Sequence, residues 1–204
     1  MTVVINGTTG ITTPSPVVLE GSTSGTITLA APAVAGSNTQ TLVAATGTLA
    51  PLISGTAVAS TSGTSIDFTN IPSWVKRITV MFNGVSTNGL SFFRVRIGPT
   101  AGVETTGYVG ASGSPTSVAL FSSGFDIVSN NAANTTQQGL FTLALLDAST
   151  NTWAASWVIG NAVNAGVGIG GGSKSLSGAL SIVRITTVNG TDTFDAGSIN
   201  ILYE

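Results

Sequence analysis

"WVKRITVMFNG", residues 74–84, decides the fold class of this chain. Apolar and polar side chains alternate along it with the period of two that marks a strand half-buried in a sheet. Trp74, Ile78, Val80 and Phe82 are expected on one face, with Lys76 a polar intruder among them that points to a strand edge or subunit contact. Val75, Arg77, Thr79 and Met81 are expected on the other. Asn83-Gly84 and Asn88-Gly89 supply residues that accept positive φ, and Asn83-Gly84 reads as the first hairpin turn of a domain.

Downstream the same pattern recurs. "LSFFRVRIG" sets Phe93, Val95 and Ile97 against Phe92, Arg94 and Arg96, and "GLFTLALLD" sets Phe141, Leu143 and Leu145 on one side. "GYVGA", "SVALF", "GFDIV", "TWAASWVIG", "GALSIVRITTV" and "GSINILYE" complete about eight to ten strands at regular spacing, with turn signals between them and no convincing helix. Residues 64–204 therefore read as an antiparallel β-sandwich of the jelly-roll kind. The last strand carries Ile199, Ile201 and Tyr203 on one side, so the C-terminus is expected inside the sheet.

Upstream the chemistry changes. Residues 1–63 contain no aromatic residue and one charge, Glu20, and Gly or Pro interrupts them every few positions. Short β-like pieces such as "PVVLE" and "GTITLA" lie between the breaks. These side chains are too small to bury a core that offsets the entropy of ordering the chain. Two readings fit: a disordered linker, or an extended arm that orders against copies of itself or a neighbouring protein.

Composition narrows function by exclusion. Of 204 residues 7% are charged, against roughly 25% in ordinary soluble proteins, and the net charge is −2 without any basic run. Nucleic-acid binding needs a basic surface and is not expected. No apolar run reaches the length of a membrane span, and "MTVVINGTTG" has neither the charged nor the apolar region of a secretory leader. Cysteine and histidine are absent, which removes thiol chemistry, disulfides and the commonest general base. A surface kept soluble by hydroxyls and amides, with little charge, favours association.

The remaining motifs offer little chemistry. "GVGIGGGSKS", residues 166–175, satisfies G-x-G-x-x-G and approaches the phosphate-loop pattern, but Ser173 replaces the required Gly and the following "SLSGALSIVRIT" is strand-like. A hairpin loop, or a glycine strip where backbones of neighbouring subunits meet, is the simpler reading. Lys76 and Lys174 lie near serines only because serine is everywhere. Asp192 and Asp195 in "TDTFDAG" read as turn formers, without a calcium-loop pattern. Trp153 and Trp157 share a strand face with Ala155 and Ile159, which suits core packing better than a sugar platform. Tyr108, beside a Gly/Ser/Pro loop, is the better surface candidate for a host or glycan contact. No catalytic, cofactor or metal residue is expected.

"MTVVINGTTGITTP" resembles the opening of tailed-bacteriophage virion fibre proteins, and "GTITLAAPAVAGSNTQTLVAATGTL" is similar to their low-complexity stalk-like segments. "SGTSIDFTNIPSWVKRITVMFNGVSTNG" and "AGSINILYE" look like a recurrent β-domain of phage tail-fibre-like structural proteins. The resemblance implies a non-enzymatic virion protein. Its N-terminal part anchors it to other virion proteins, with Val3, Val4, Ile5 and Ile11 as candidate anchoring residues. It further implies a homotrimer and a distal β-domain facing a host glycan or protein. A short tail fibre, a tail-tip protein or a head-attached fibre fits the length. A capsid decoration protein and a carbohydrate-binding module are the alternatives.

Overall fold

The computed structural model describes residues 17–20, 23–29, 50–114, 117–129, 132–133, 135–163 and 165–204. The candidate anchoring residues Val3, Val4, Ile5 and Ile11 lie outside them. Two units are distinct, one ending at Thr48 and one beginning at Leu49. In the first, β1 (Val17–Glu20) and β2 (Thr26–Leu29) pair as an antiparallel ribbon, with Glu20 opposite Thr26 and Gly25 in the turn at a φ of 81°.

The second unit is all-β among its described residues. Its strands are β3 (Ile53–Ser54), β4 (Val58–Ala59), β5 (Ser65–Phe68), β6 (Arg77–Thr87), β7 (Phe93–Gly98), β8 (Tyr108–Ser114) and β9 (Ser117–Phe121). They are followed by β10 (Phe125–Ile127), β11 (Gln137–Asp147), β12 (Thr152–Asn161), β13 (Gly166–Ser175), β14 (Ile182–Thr187) and β15 (Phe194–Tyr203). A small sheet has the order β10-β7-β14-β5. A large sheet has the order β3-β15-β6-β11-β12-β13-β8-β9, with β4 also on β15.

From β5 to β14 the chain alternates between the sheets in jelly-roll sequence. β5, β7, β10 and β14 form the small sheet, while β6, β8, β9 and β11 belong to the large one. Two additions widen the large sheet: the hairpin β12–β13 sits between β11 and β8, and β15 with β3 and β4 extends the side of β6.

One core fills the space between the sheets. Ile78, Val80 and Phe82 of β6, with Phe141 and Leu143 of β11, face Phe93, Val95 and Ile97 of β7 and Val183 and Ile185 of β14. Aromatic rings bridge the two layers: Phe82 lies 6.3 Å from Phe93, and Phe125 lies 5.6 Å from Phe141 and 4.9 Å from Tyr108. Phe141 stacks on Trp157 at 5.1 Å. Packing of this kind contributes about 0.5–1.5 kcal/mol per aromatic pair beyond the area removed from water.

Four sequence expectations are corrected. Residues 50–63 belong to the sandwich side of the division, because β3 and β4 pair with β15 and Ser60 is buried, its Oγ donating to Ala196 O at 2.7 Å. The alternation does not extend back to Trp74. Residues 72–75 form a turn closed by Val75 N–H on Pro72 O, so Val75 is buried and Trp74 is 38% exposed. Lys76 is no strand edge: its N–H donates to Glu204 O and its carbonyl accepts from Leu145 N–H, which places its backbone between two neighbours.

Asn83-Gly84 is no hairpin turn either. β6 runs through it, and Gly84 adopts a φ of 64° in a bulge where the register shifts against both β11 and β15. Asn88-Gly89, by contrast, lies in the connection from β6 to β7.

Candidate functional site

The groups singled out for chemistry are placed by the sheets in structural roles. Tyr108 is 2% exposed at the start of β8. Its hydroxyl accepts from Ile97 N–H at 2.9 Å and lies 3.1 Å from Ile97 O and 3.0 Å from Glu104 O, either of which it can donate to. Burial pushes its pKa up to about 12. Tyr108 is therefore an internal clamp between β8 and β7, and the sequence expectation of a surface contact is corrected. The Gly/Ser context misled because Gly110, Ser112, Gly113 and Ser114 belong to β8 itself, and the tyrosine begins that strand on its inward face.

Lys174, on the inner side of β13, pairs with Glu104 and stands 5.6 Å from the Tyr108 ring centroid. Burial of the Glu104 carboxyl opposes ionisation. Hydrogen bonds from Lys174 and from Ser177 N–H and Oγ together outweigh it, holding the carboxyl below its usual range. Among the described residues no serine hydroxyl is positioned by Lys174, whose ammonium instead donates to Ser175 O at 2.6 Å. Asp192 and Asp195 are also absorbed locally. Asp192 accepts from Ser91 N–H at 3.0 Å and Asn189 Nδ2 at 2.6 Å, and Asp195 accepts from Ser86. Among the described residues no group of three or more acids could hold a metal ion.

The glycine-rich segment is neither loop nor phosphate cradle. It is the strand β13, paired along its whole length with β12 and along Ile169–Lys174 with β8. A methyl group at Gly170 would overlap the six-membered ring of Trp157, and one at Gly172 would overlap Val109 O and Phe121. The glycines thus make room for large inner side chains. Trp153 and Trp157 are core residues, each 3% exposed.

What stands out instead is the contrast between the two outer faces. The small sheet carries ordinary charge: Arg94 forks onto Asp126 at 2.5 and 2.9 Å, Arg184 onto Asp67 at 2.7 and 2.6 Å, and Arg96 lies opposite Arg184. The large sheet carries none across most of its width. Its register aligns Met81, Leu140, Val158, Ile169, Gly113 and Val118 in one row across six strands. The next row is Thr79, Thr142, Ser156, Gly171, Ala111 and Leu120. Arg77, paired with Glu204, marks the border. Antiparallel sheets with one solvated face normally alternate apolar-in and polar-out, and this sheet departs from that rule on its outer side.

Two shallow depressions interrupt the face. One is lined by Leu140, Thr142, Ser156 and Val158 and the other by Ala111, Gly113, Val118 and Ile169, with Trp157 forming part of the wall of both. Neither contains an ionisable side chain, so the face can make apolar and hydroxyl contacts but no acid–base chemistry. Sequence reading missed it because alternation along one strand does not show which outward residues lie side by side across six strands. The outward set is visible only once the register fixes which residues share a face. Comparison of the chain with protein-family models, with curated proteins and with solved structures finds no match in any of the three.

Proposed function

We propose that this chain is a non-enzymatic structural protein of a bacteriophage virion: a short homotrimeric fibre, anchored by its N-terminal region and presenting the sandwich outward to the host. The observation that carries the reading is the joining of a sandwich with an uncharged outer face to a preceding region without aromatics. Such surfaces serve assembly. The outer sheet face lacks acids and bases, and the carboxylates Glu104, Asp126 and Asp192 are each held by hydrogen bonds. The sequence resemblance supplies the particle; the geometry is compatible with it and favours binding over catalysis.

Antibody raised against residues 49–204, applied to purified particles released by the cells that make the chain, tests this directly. Gold labelling at the tail or tail tip is the expected result, and labelling over the head moves the protein to a capsid-decorating role. Particles that carry none of the chain contradict the proposal.

A further inference from the structure

We infer that the outer face of the large sheet, together with the edge strand β9, is the surface through which copies of this chain bind one another. The inference rests on the assembly reading above and names the interface that it needs.

Area is the first argument. Leu120 is 87% exposed, Val118 78% and Val109 68%, and Leu140, Val158 and Ile169 are each more than half exposed. Together they offer on the order of 600 Å² of mostly apolar surface. That reaches the top of the range for the largest patch on a typical monomer and approaches the ~800 Å² that each partner gives to a stable interface.

Charge is the second argument. Three of the six basic residues, Arg94, Arg96 and Arg184, sit on the small sheet with Asp67 and Asp126, while the larger face between Thr79 and Leu120 has no charged side chain. A charged partner would meet nothing to pair with there. A second copy can bring its own uncharged β9 edge to this face, so no ion loses its water without compensation, and such a head-to-tail contact can close into a ring of three.

Edge protection is the third. On the β15 side the large sheet is covered by β3 and β4. On the other side β9 pairs only with β8 among the described residues, and no charge or bulge blunts its "SVALF" sequence. Natural sheets normally guard such an edge, and an unguarded one adjoining a flat apolar face is a site for another chain. Glycine and alanine at positions 111, 113, 144, 154, 160 and 171 keep the ground between the larger side chains low, which lets a second sheet approach.

The test is the mass of the full chain in solution, measured by light scattering, for the wild type, Leu120→Lys and Val158→Lys. Both positions are exposed, and circular dichroism with thermal unfolding checks that each variant keeps its fold. Leu120→Ser serves if a lysine disturbs it. The expected result is an oligomer for the wild type and a fall of about threefold in mass, trimer to single chain, for the lysine variants. A folded variant that keeps the oligomer mass overturns the inference. So does a deletion of residues 1–48 that dissociates the oligomer while the lysine variants do not, because the arm would then hold the copies together. A wild type that is a single chain also overturns it. None of these results touches the position of the protein on particles, which the antibody labelling reads separately.

Discussion

The ribbon β1–β2 and the strand β6 are written in nearly the same β-branched vocabulary, yet they end in opposite states. In the ribbon Val18, Leu19 and Ile27 are all exposed. In the sandwich Ile78, Val80 and Leu143 are completely buried. Val, Ile and Thr make both segments extended, since β-branched side chains suit a pleated backbone. Only the second has rings to build over. Phe82, Phe93, Phe125, Phe141 and Trp157 supply the volume that closes the space between two sheets. Strand formation and core formation are thus separate properties, and the chain assigns them to separate regions.

The comparison breaks hardest at Trp157. Its ring touches Phe121, Phe125 and Phe141, and Trp157→Ala should cost about 3–5 kcal/mol, read by chemical denaturation of the sandwich. Ala at Gly170 should cost about 1–3 kcal/mol, because the new methyl is forced into that same ring. Ala at Gly171, one residue along and facing outward with ordinary clearance to Ala155 O, should change stability by less than about 0.5 kcal/mol. Equal effects at the two glycines would mean that β13 does not alternate as described.

Tyr108→Phe should cost about 1 kcal/mol through the lost hydrogen bonds to β7 and the Glu104 carbonyl. The same group gives a pH signature. Its folded pKa, about 12, lies above its unfolded value, so its contribution is complete below pH 10 and is lost as pH rises toward 12. Glu104 acts at the other end. Its folded pKa is lowered, so its contribution is present above the ordinary carboxylate pKa and fades as pH falls through the folded value. Unfolding midpoints followed across pH should show both flanks, and Tyr108→Phe should flatten the alkaline one. The smallest effect belongs to the ribbon: Ile27→Ala should leave the unfolding midpoint of the sandwich unchanged.

Much of the sandwich was legible in the sequence. Period-two alternation is enough to place the faces of β7, β11, β12 and β15, and the aliphatic neighbours of Trp153 and Trp157 mark that pair as core. What failed did so for definable reasons. Asn83-Gly84 has the composition of a hairpin turn, but a bulge demands the same positive φ, and only pairing to two flanking strands distinguishes them. The glycines of β13 carry no side-chain pattern at all, so the strand is recognisable only by the rings that lie over it. Tyr108 faces inward because of its register with Lys174 on β13, a pairing more than sixty residues distant in the chain. The uncharged outer face required the whole register and was invisible strand by strand.

The sandwich is a unit that begins near Leu49, includes β3 and β4 and is filled by its own rings. Thermal unfolding of residues 49–204 and of residues 64–204, each beside the full chain, tests it most directly. The first fragment should unfold cooperatively at the midpoint of the full chain's sandwich. The second, stripped of the strands that cover β15 and of the buried Ser60, should unfold at a clearly lower temperature. A fragment 49–204 that fails to fold, or a fragment 64–204 as stable as the full chain, would contradict it.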